Sequence, residues 1–154
     1  DDLGLNLDAP APFDASQSLR EALLAPTRLY GEAVHAALDA VPGAVRALCH
    51  VTGGGLPGNL NRVLRDDLSA QVDPARWQAA PIFGWLEGLD RVERAELFRT
   101  FNMGLGMVLV VDPEHIGAVM AHLAGESPVF QIGTLAKREA GSAAPQVLIE
   151  GVTA

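Results

Sequence analysis

Residues 49–64 read CHVTGGGLPGNLNRVL, and the fold turns on how the centre of that stretch is taken. The apolar run 45–51 enters it as a buried strand, three consecutive glycines follow, and 59–64 leaves it as a short helix. Consecutive glycines let backbone N–H groups turn toward one point, because no Cβ blocks positive φ or close approach. A helix N-terminus just beyond adds partial positive charge, and the whole arrangement suits a phosphate. Gly53-x-Gly55-x-x-Gly58 also spells the G-x-G-x-x-G of a dinucleotide turn, with Asp73 near the spacing of a ribose-binding acid. Pro57 inside the motif, the short helix and the lack of further βαβ units weigh against that version. A plain turn is the bland alternative, but three glycines cost conformational entropy that an ordinary turn avoids, which favours a functional loop.

Upstream, 1–13 reads as loop, and Asp14 or Ser16 is placed to cap a short helix reaching Leu24 before Pro26. Leu29, Ala33, Val34, Ala37, Leu38 and Val41 recur at helical spacing until Pro42-Gly43. Downstream, 68–72 reads as strand, and 81–89 and 93–101 as helices, each with an aromatic residue on its apolar face. The run 105–111 is the strongest strand signal, rich in valine and uncharged. Asp112-Pro113-Glu114 opens a helix to about Leu123, with proline at the first helical position and acid in the first turn. Two more strands, 129–135 and 146–149, flank the polar loop 139–144. Helices alternating with strands, and two strands in succession at the end, predict an α+β domain with a mixed β-sheet covered by helices. Nothing divides 1–154 into more than one domain.

The 154 residues are 49% hydrophobic and 19% charged, a globular balance. The net charge of -8 excludes a nucleic-acid surface, which needs a basic stripe, yet leaves room for small anions held by a few local donors. A single cysteine, Cys49, rules out an intrachain disulfide and points to a reducing cytoplasm. The run 105–111 is too short to span a bilayer, and Asp1-Asp2 is not the basic start of a signal peptide, so no membrane partner is expected. No Cys, His or Asp cluster has metal-ligand spacing. Cys49, Met103, Met107 and Met120 read as packing, and His35, His115 and His122 as exposed helix residues.

Three segments carry a family resemblance. Leu24-Ala25-Pro26-Thr27-Arg28-Leu29-Tyr30, His50-Val51-Thr52-Gly53-Gly54-Gly55 and Arg99-Thr100-Phe101-Asn102-Met103-Gly104-Leu105-Gly106-Met107 closely resemble, in order, motifs of aminoimidazole ribonucleotide synthetase, also called phosphoribosylformylglycinamidine cyclo-ligase. Asn61-Arg62-Val63-Leu64 and Gln131-Ile132-Gly133 fall in the same order, so the resemblance covers nearly the whole chain. Related ATP-using enzymes usually carry Asp-Val-Ser or Asp-Pro-Thr where this sequence has His50-Val51-Thr52.

The resemblance implies the C-terminal domain of an enzyme of de novo purine biosynthesis. That enzyme closes the imidazole ring of a formylglycinamidine ribonucleotide, forming aminoimidazole ribonucleotide and releasing ADP and phosphate. ATP and Mg²⁺ are then the cofactors of the full-length enzyme, and none is expected on this chain alone. The partners implied are the ribonucleotide substrate, an N-terminal ATP-binding domain and a second subunit in a homodimer. The family's Gly-x-His-Ser-Asn-Gly-Tyr segment is not found here, so the domain is expected to be incomplete at its N-terminus, inactive alone and left with an unpaired sheet edge. Another ATP-using enzyme of the superfamily, or a non-catalytic anion- or dinucleotide-binding module, are the alternatives.

On this reading Gly53, Gly54 and Gly55 offer backbone donors to the substrate phosphate, and Thr52 adds a hydroxyl. Asn102 either orients a polar substrate group or caps the preceding helix. Arg28 pairs with substrate or with the other domain. His50 is a polar contact at the site or a histidine bonded within the structure; lacking a carboxylate partner at motif spacing, it is no general base by itself. Gly104 and Gly106 suggest close backbone approach, and Arg62, Arg65 and Arg99 read as solvated ion pairs. No catalytic residue is assigned.

Overall fold

Valine-rich, uncharged sequence suits a pleated strand, where branched side chains pack well, and it forms β5 (Met107–Val111). β5 pairs antiparallel with β3 (Val45–His50), Cys49 opposite Val108 and His50 opposite Met107. The structure is a computed structural model describing residues 3–125 and 128–152; the start 1–2, read above as loop, lies outside them. β4 (Leu68–Val72) is the middle of a second sheet, antiparallel to β6 (Gly133–Lys137) and parallel to β7 (Val147–Ile149). A short hairpin pairs β1 (Pro10–Ala11) with β2 (Asp14–Ser18). The helices are α1 (Leu19–Leu23), α2 (Gly31–Ala40), α3 (Gly55–Leu60), α4 (Pro81–Gly88), α5 (Arg94–Thr100) and α6 (Ile116–Leu123).

The α+β class holds, and the mixed pairing sits in the three-stranded sheet. The strands divide among three small sheets instead of one. What joins them is the core. Cys49 and Val51 of the ribbon, Leu56 and Leu60 of α3, Leu97 and Phe98 of α5, and Ala70, Val72, Val147 and Ile149 of the three-stranded sheet are buried in one cluster with Trp77 and Met103. Each fully buried Leu or Val there stabilises the fold by about 1.5–3 kcal/mol. α2 packs on α6 through buried Val34, Ala37 and Val119.

Four expectations shift. β3 is not buried throughout: only Cys49 is, because a two-stranded ribbon leaves one face, with Arg46, Leu48 and His50, exposed. β3 and β5 pair only with each other among the described residues, so their outer edges are open. The strand expected at 129–135 begins at Gly133, which crosses so close over Gln71 that a Cβ there would lie 2.0 Å from its carbonyl oxygen. The helix expected at 59–64 is α3, beginning four residues earlier inside the glycine run.

The fourth shift concerns 14–24. Asp14 caps no helix, because it opens β2 and its carboxylate accepts from the Ser16 N–H at 3.0 Å and the Ser16 hydroxyl at 2.6 Å within that strand. Ser18 caps α1 instead. Its hydroxyl accepts the Glu21 N–H at 3.2 Å, while the Glu21 carboxylate accepts the Ser18 N–H at 2.8 Å, a reciprocal capping box. That backbone N–H, then the Ser18 hydroxyl, holds the Glu21 carboxyl below its ordinary value.

Ser18→Ala is therefore expected to lower stability by about 1 kcal/mol at neutral pH. A depressed folded pKa means the Glu21 arm of the box stabilises fully above the unfolded value of about 4.3 and is lost as pH falls through the lower folded value, while the Ser18 hydroxyl still caps the Glu21 N–H. Denaturant melts of both proteins at pH 7 and pH 3 check this, the difference shrinking at the lower pH.

Candidate functional site

The glycine run is sorted by its surroundings. Gly54, at φ 95°, is the left-handed residue before α3. Gly55, at φ 60°, is buried against the end of α5, where a Cβ would fall 2.0 Å from the Phe98 carbonyl oxygen and 2.9 Å from that of Phe101. Its N–H donates to the Thr52 carbonyl at 3.2 Å. Gly55 is thus a packing residue, and the expected convergence of three N–H groups reduces to two. Gly53 and Gly54 are exposed, and their N–H groups meet no acceptor among the described residues. α3 has only six residues and starts inside the run, so no separate helix terminus stands beyond it.

Below the loop lies Asn59, 5% exposed. Its Nδ2 donates to the carbonyls of Thr52 at 3.2 Å, Gly53 at 3.2 Å and Gly55 at 2.8 Å. The Thr52 hydroxyl reaches its Oδ1 at 3.5 Å. Sequence reasoning gives Asn59 only as a helix start. A signal was available: a helix from Gly55 puts Asn59 on the same face as Leu56 and Leu60, so its polar side chain must find partners inside.

The three sequence motifs meet here. The Tyr30 ring lies edge-on to the exposed His50 ring, centroids 6.0 Å apart. The Tyr30 hydroxyl covers Gly106, where a Cβ would stand 1.8 Å from it. The Gly106 carbonyl accepts the Val51 N–H at 2.9 Å, tying the approach to the glycine run to the third motif.

Asn102 does not cap α5. Its Oδ1 accepts the Gly104 N–H at 3.0 Å and its carbonyl the Leu105 N–H at 2.9 Å, closing a tight turn through Met103 at φ 49° and Gly104 at φ 90°. Trp77 Nε1 donates to the Met103 carbonyl at 3.0 Å and holds that turn from inside. Arg28 is exposed in the segment between α1 and α2.

Other candidates drop away. Asp73, the acid at ribose-binding spacing, has its carboxylate engaged by the Ala75 N–H at 2.9 Å and by Arg76 at 3.2 Å, capping the short turn after β4. Arg65 pairs with Asp67 and Arg99 with Glu96, both in solvent; exposed Arg62 makes no ion pair among the described residues. Burial raises the Cys49 thiol pKa, only partly opposed by Arg62, so the thiol is a core group. No group of three or more His, Cys, Asp or Glu among the described residues could hold a metal. A cleft of about 180 Å³ under α4 and α5, floored by Trp77, Phe98 and Met103 and bordered by Arg94, includes none of the residues expected at the site.

Residues 3–144, which include all three motifs and Asn59, match the family described as AIR synthase related protein, C-terminal domain. The chain belongs to this family. It is also similar to phosphoribosylformylglycinamidine cyclo-ligase of Chromobacterium violaceum, 42% identical over 139 residues. That alignment takes in 89% of this chain and 39% of the relative, so the chain spans about two fifths of the curated protein it matches. No described helix is long and apolar enough to cross a membrane.

Proposed function

We propose that this chain is the C-terminal domain of an ATP-dependent cyclo-ligase that converts formylglycinamidine ribonucleotide to aminoimidazole ribonucleotide in purine biosynthesis. The observation carrying this reading is the junction of the three family motifs, with Tyr30 against His50 and over Gly106, and the Gly106 carbonyl bonded to Val51 just before the exposed Gly53 and Gly54. In the proposal, the N–H groups of Gly53 and Gly54 bind the phosphate of the ribonucleotide, with Thr52, His50 and Arg28 as polar neighbours. Asn102 serves by shaping the turn that carries Gly104 and Gly106. Ring closure driven by phosphoryl activation depends on positioning and charge stabilisation more than on a protein nucleophile, which fits a site of backbone donors. On this reading ATP and Mg²⁺ are held by the remainder of a longer polypeptide. A cytoplasmic homodimer belongs to the same proposal.

The experiment uses the whole polypeptide that carries this chain. It should convert the ribonucleotide with stoichiometric release of ADP and phosphate, and absence of ATP-dependent product under saturating substrate would sink the reading. Gly53→Val tests the loop, because a Cβ at Gly53 would meet open space and its φ is not left-handed. It should weaken ribonucleotide binding by about 1–3 kcal/mol, the scale of charge-assisted hydrogen bonds, with circular dichroism unchanged. Gly54 is a poorer probe, since any side chain at φ 95° adds strain of its own. Undiminished affinity in folded Gly53→Val would leave the glycines as a turn.

A further inference from the structure

We propose that Asn59 is the positioning residue of the glycine loop, orienting its peptides so that the N–H groups of Gly53 and Gly54 face solvent together as an anion donor. The ligand in this statement rests on the phosphate reading above; the orientation does not. A trans peptide is planar, with its C=O and the following N–H on opposite sides, and the described chain contains no cis bond. The Thr52 carbonyl points inward to Asn59 Nδ2, so the Gly53 N–H points outward. The Gly53 carbonyl does the same, and the Gly54 N–H follows. The next peptide is reversed, its Gly55 N–H turned back to the Thr52 carbonyl. The Gly55 carbonyl, at 2.8 Å, then locks the first turn of α3 to the same amide.

Asparagine is suited to this because one side chain supplies two donor hydrogens and an acceptor. An aspartate would set a carboxylate against the carbonyl oxygens of Thr52, Gly53 and Gly55. An alanine would leave those carbonyls without their shared donor. Six residues of α3 cannot impose the loop's shape alone, since so short a helix depends on tertiary contacts. Buried polar groups persist when satisfied, and every polar atom of Asn59 has a partner here.

The test is ¹⁵N NMR of the protein and of Asn59→Ala, with inorganic phosphate as the probe. In the wild type, the Gly53 and Gly54 amides should be rigid, with order parameters of about 0.85, yet exchange rapidly with water, because they are oriented but unbonded. Phosphate should shift these two amides selectively. In Asn59→Ala their order parameters should fall below about 0.6 and the phosphate Kd should rise by about tenfold or more, with amides of β4 and α2 unmoved. Rigid loop amides in folded Asn59→Ala, or mobile ones in the wild type, overturn the proposal. If the variant loosens but wild type ignores phosphate, Asn59 keeps its orienting role and the phosphate reading falls. If Asn59→Ala does not fold, couplings across the hydrogen bonds from Asn59 Nδ2 to the Thr52 and Gly53 carbonyl carbons decide in the wild type, and their absence overturns it.

Discussion

Gly55→Ala is expected to be among the most damaging single-methyl additions in the chain. The new Cβ would fall 2.0 Å from the Phe98 carbonyl oxygen, a backbone atom at the end of α5 that cannot rotate aside as a side-chain tip does. It would also force an L-residue to hold φ 60°. Overpacking against backbone together with left-handed strain predicts a loss of about 4 kcal/mol or more. For a domain of this size that is a fall in Tm of about 8–16 °C. Gly53→Ala, two residues away with nothing within 4 Å of its Cβ, is the control and should change stability by less than about 0.5 kcal/mol. Thermal melts of the pair decide the matter. Equal melting temperatures would mean that Gly55 does not sit on α5, and the sorting of the glycines into packing and presenting positions would fail with it.

Trp77→Ala should be comparably severe. Trp77 is 8% exposed, lies edge-on to Phe98 with centroids 6.4 Å apart, and donates its indole N–H to the Met103 carbonyl at 3.0 Å. Truncating it opens a large cavity and leaves a buried carbonyl without its donor, at a cost of about 3–5 kcal/mol. Trp77→Phe separates the two effects, keeping most of the ring volume and removing only the N–H, and should cost about 1–3 kcal/mol. Because that N–H holds the turn in which Met103 takes φ 49°, the Phe variant should also broaden the amide signals of 102–105. Urea titration gives the energies, and a Phe variant as stable as wild type would remove Trp77 from the support of the third motif.

Much of the fold was legible because its signals are local. The 3.6-residue period placed α2, and helical apolar faces each carrying an aromatic residue placed α4 and α5 to within two residues. β5 was marked by valine-rich, uncharged composition. The Ser18-x-x-Glu21 box was present in the sequence but hidden by the stronger pull of Asp14, whose carboxylate bonds to Ser16 within β2 instead. The hairpin of β1 and β2 was obscured by Pro10 and Pro12, which lower strand expectation although an edge position tolerates proline. At the candidate site, the motifs identified the loop, while Asn59 and the Tyr30 contact went unassigned because burial and proximity are not local properties.

The order of chemistry-bearing segments, the α+β class and membership of the family were determined by the sequence itself, since each depends on residue identity and short-range spacing. The division of labour among Gly53, Gly54 and Gly55 was decided only by tertiary structure. These residues are identical in covalent structure. What distinguishes them is which one meets the carbonyls of α5, which one takes the left-handed turn, and which peptides a buried amide four residues beyond Gly55 turns outward. The contact of Gly55 with α5 joins positions some forty residues apart, as the ribbon joins Val45 to Val111. Local propensity carries no information about contacts of that range, because they form only when burial of the common core brings α3, α5 and the ribbon together.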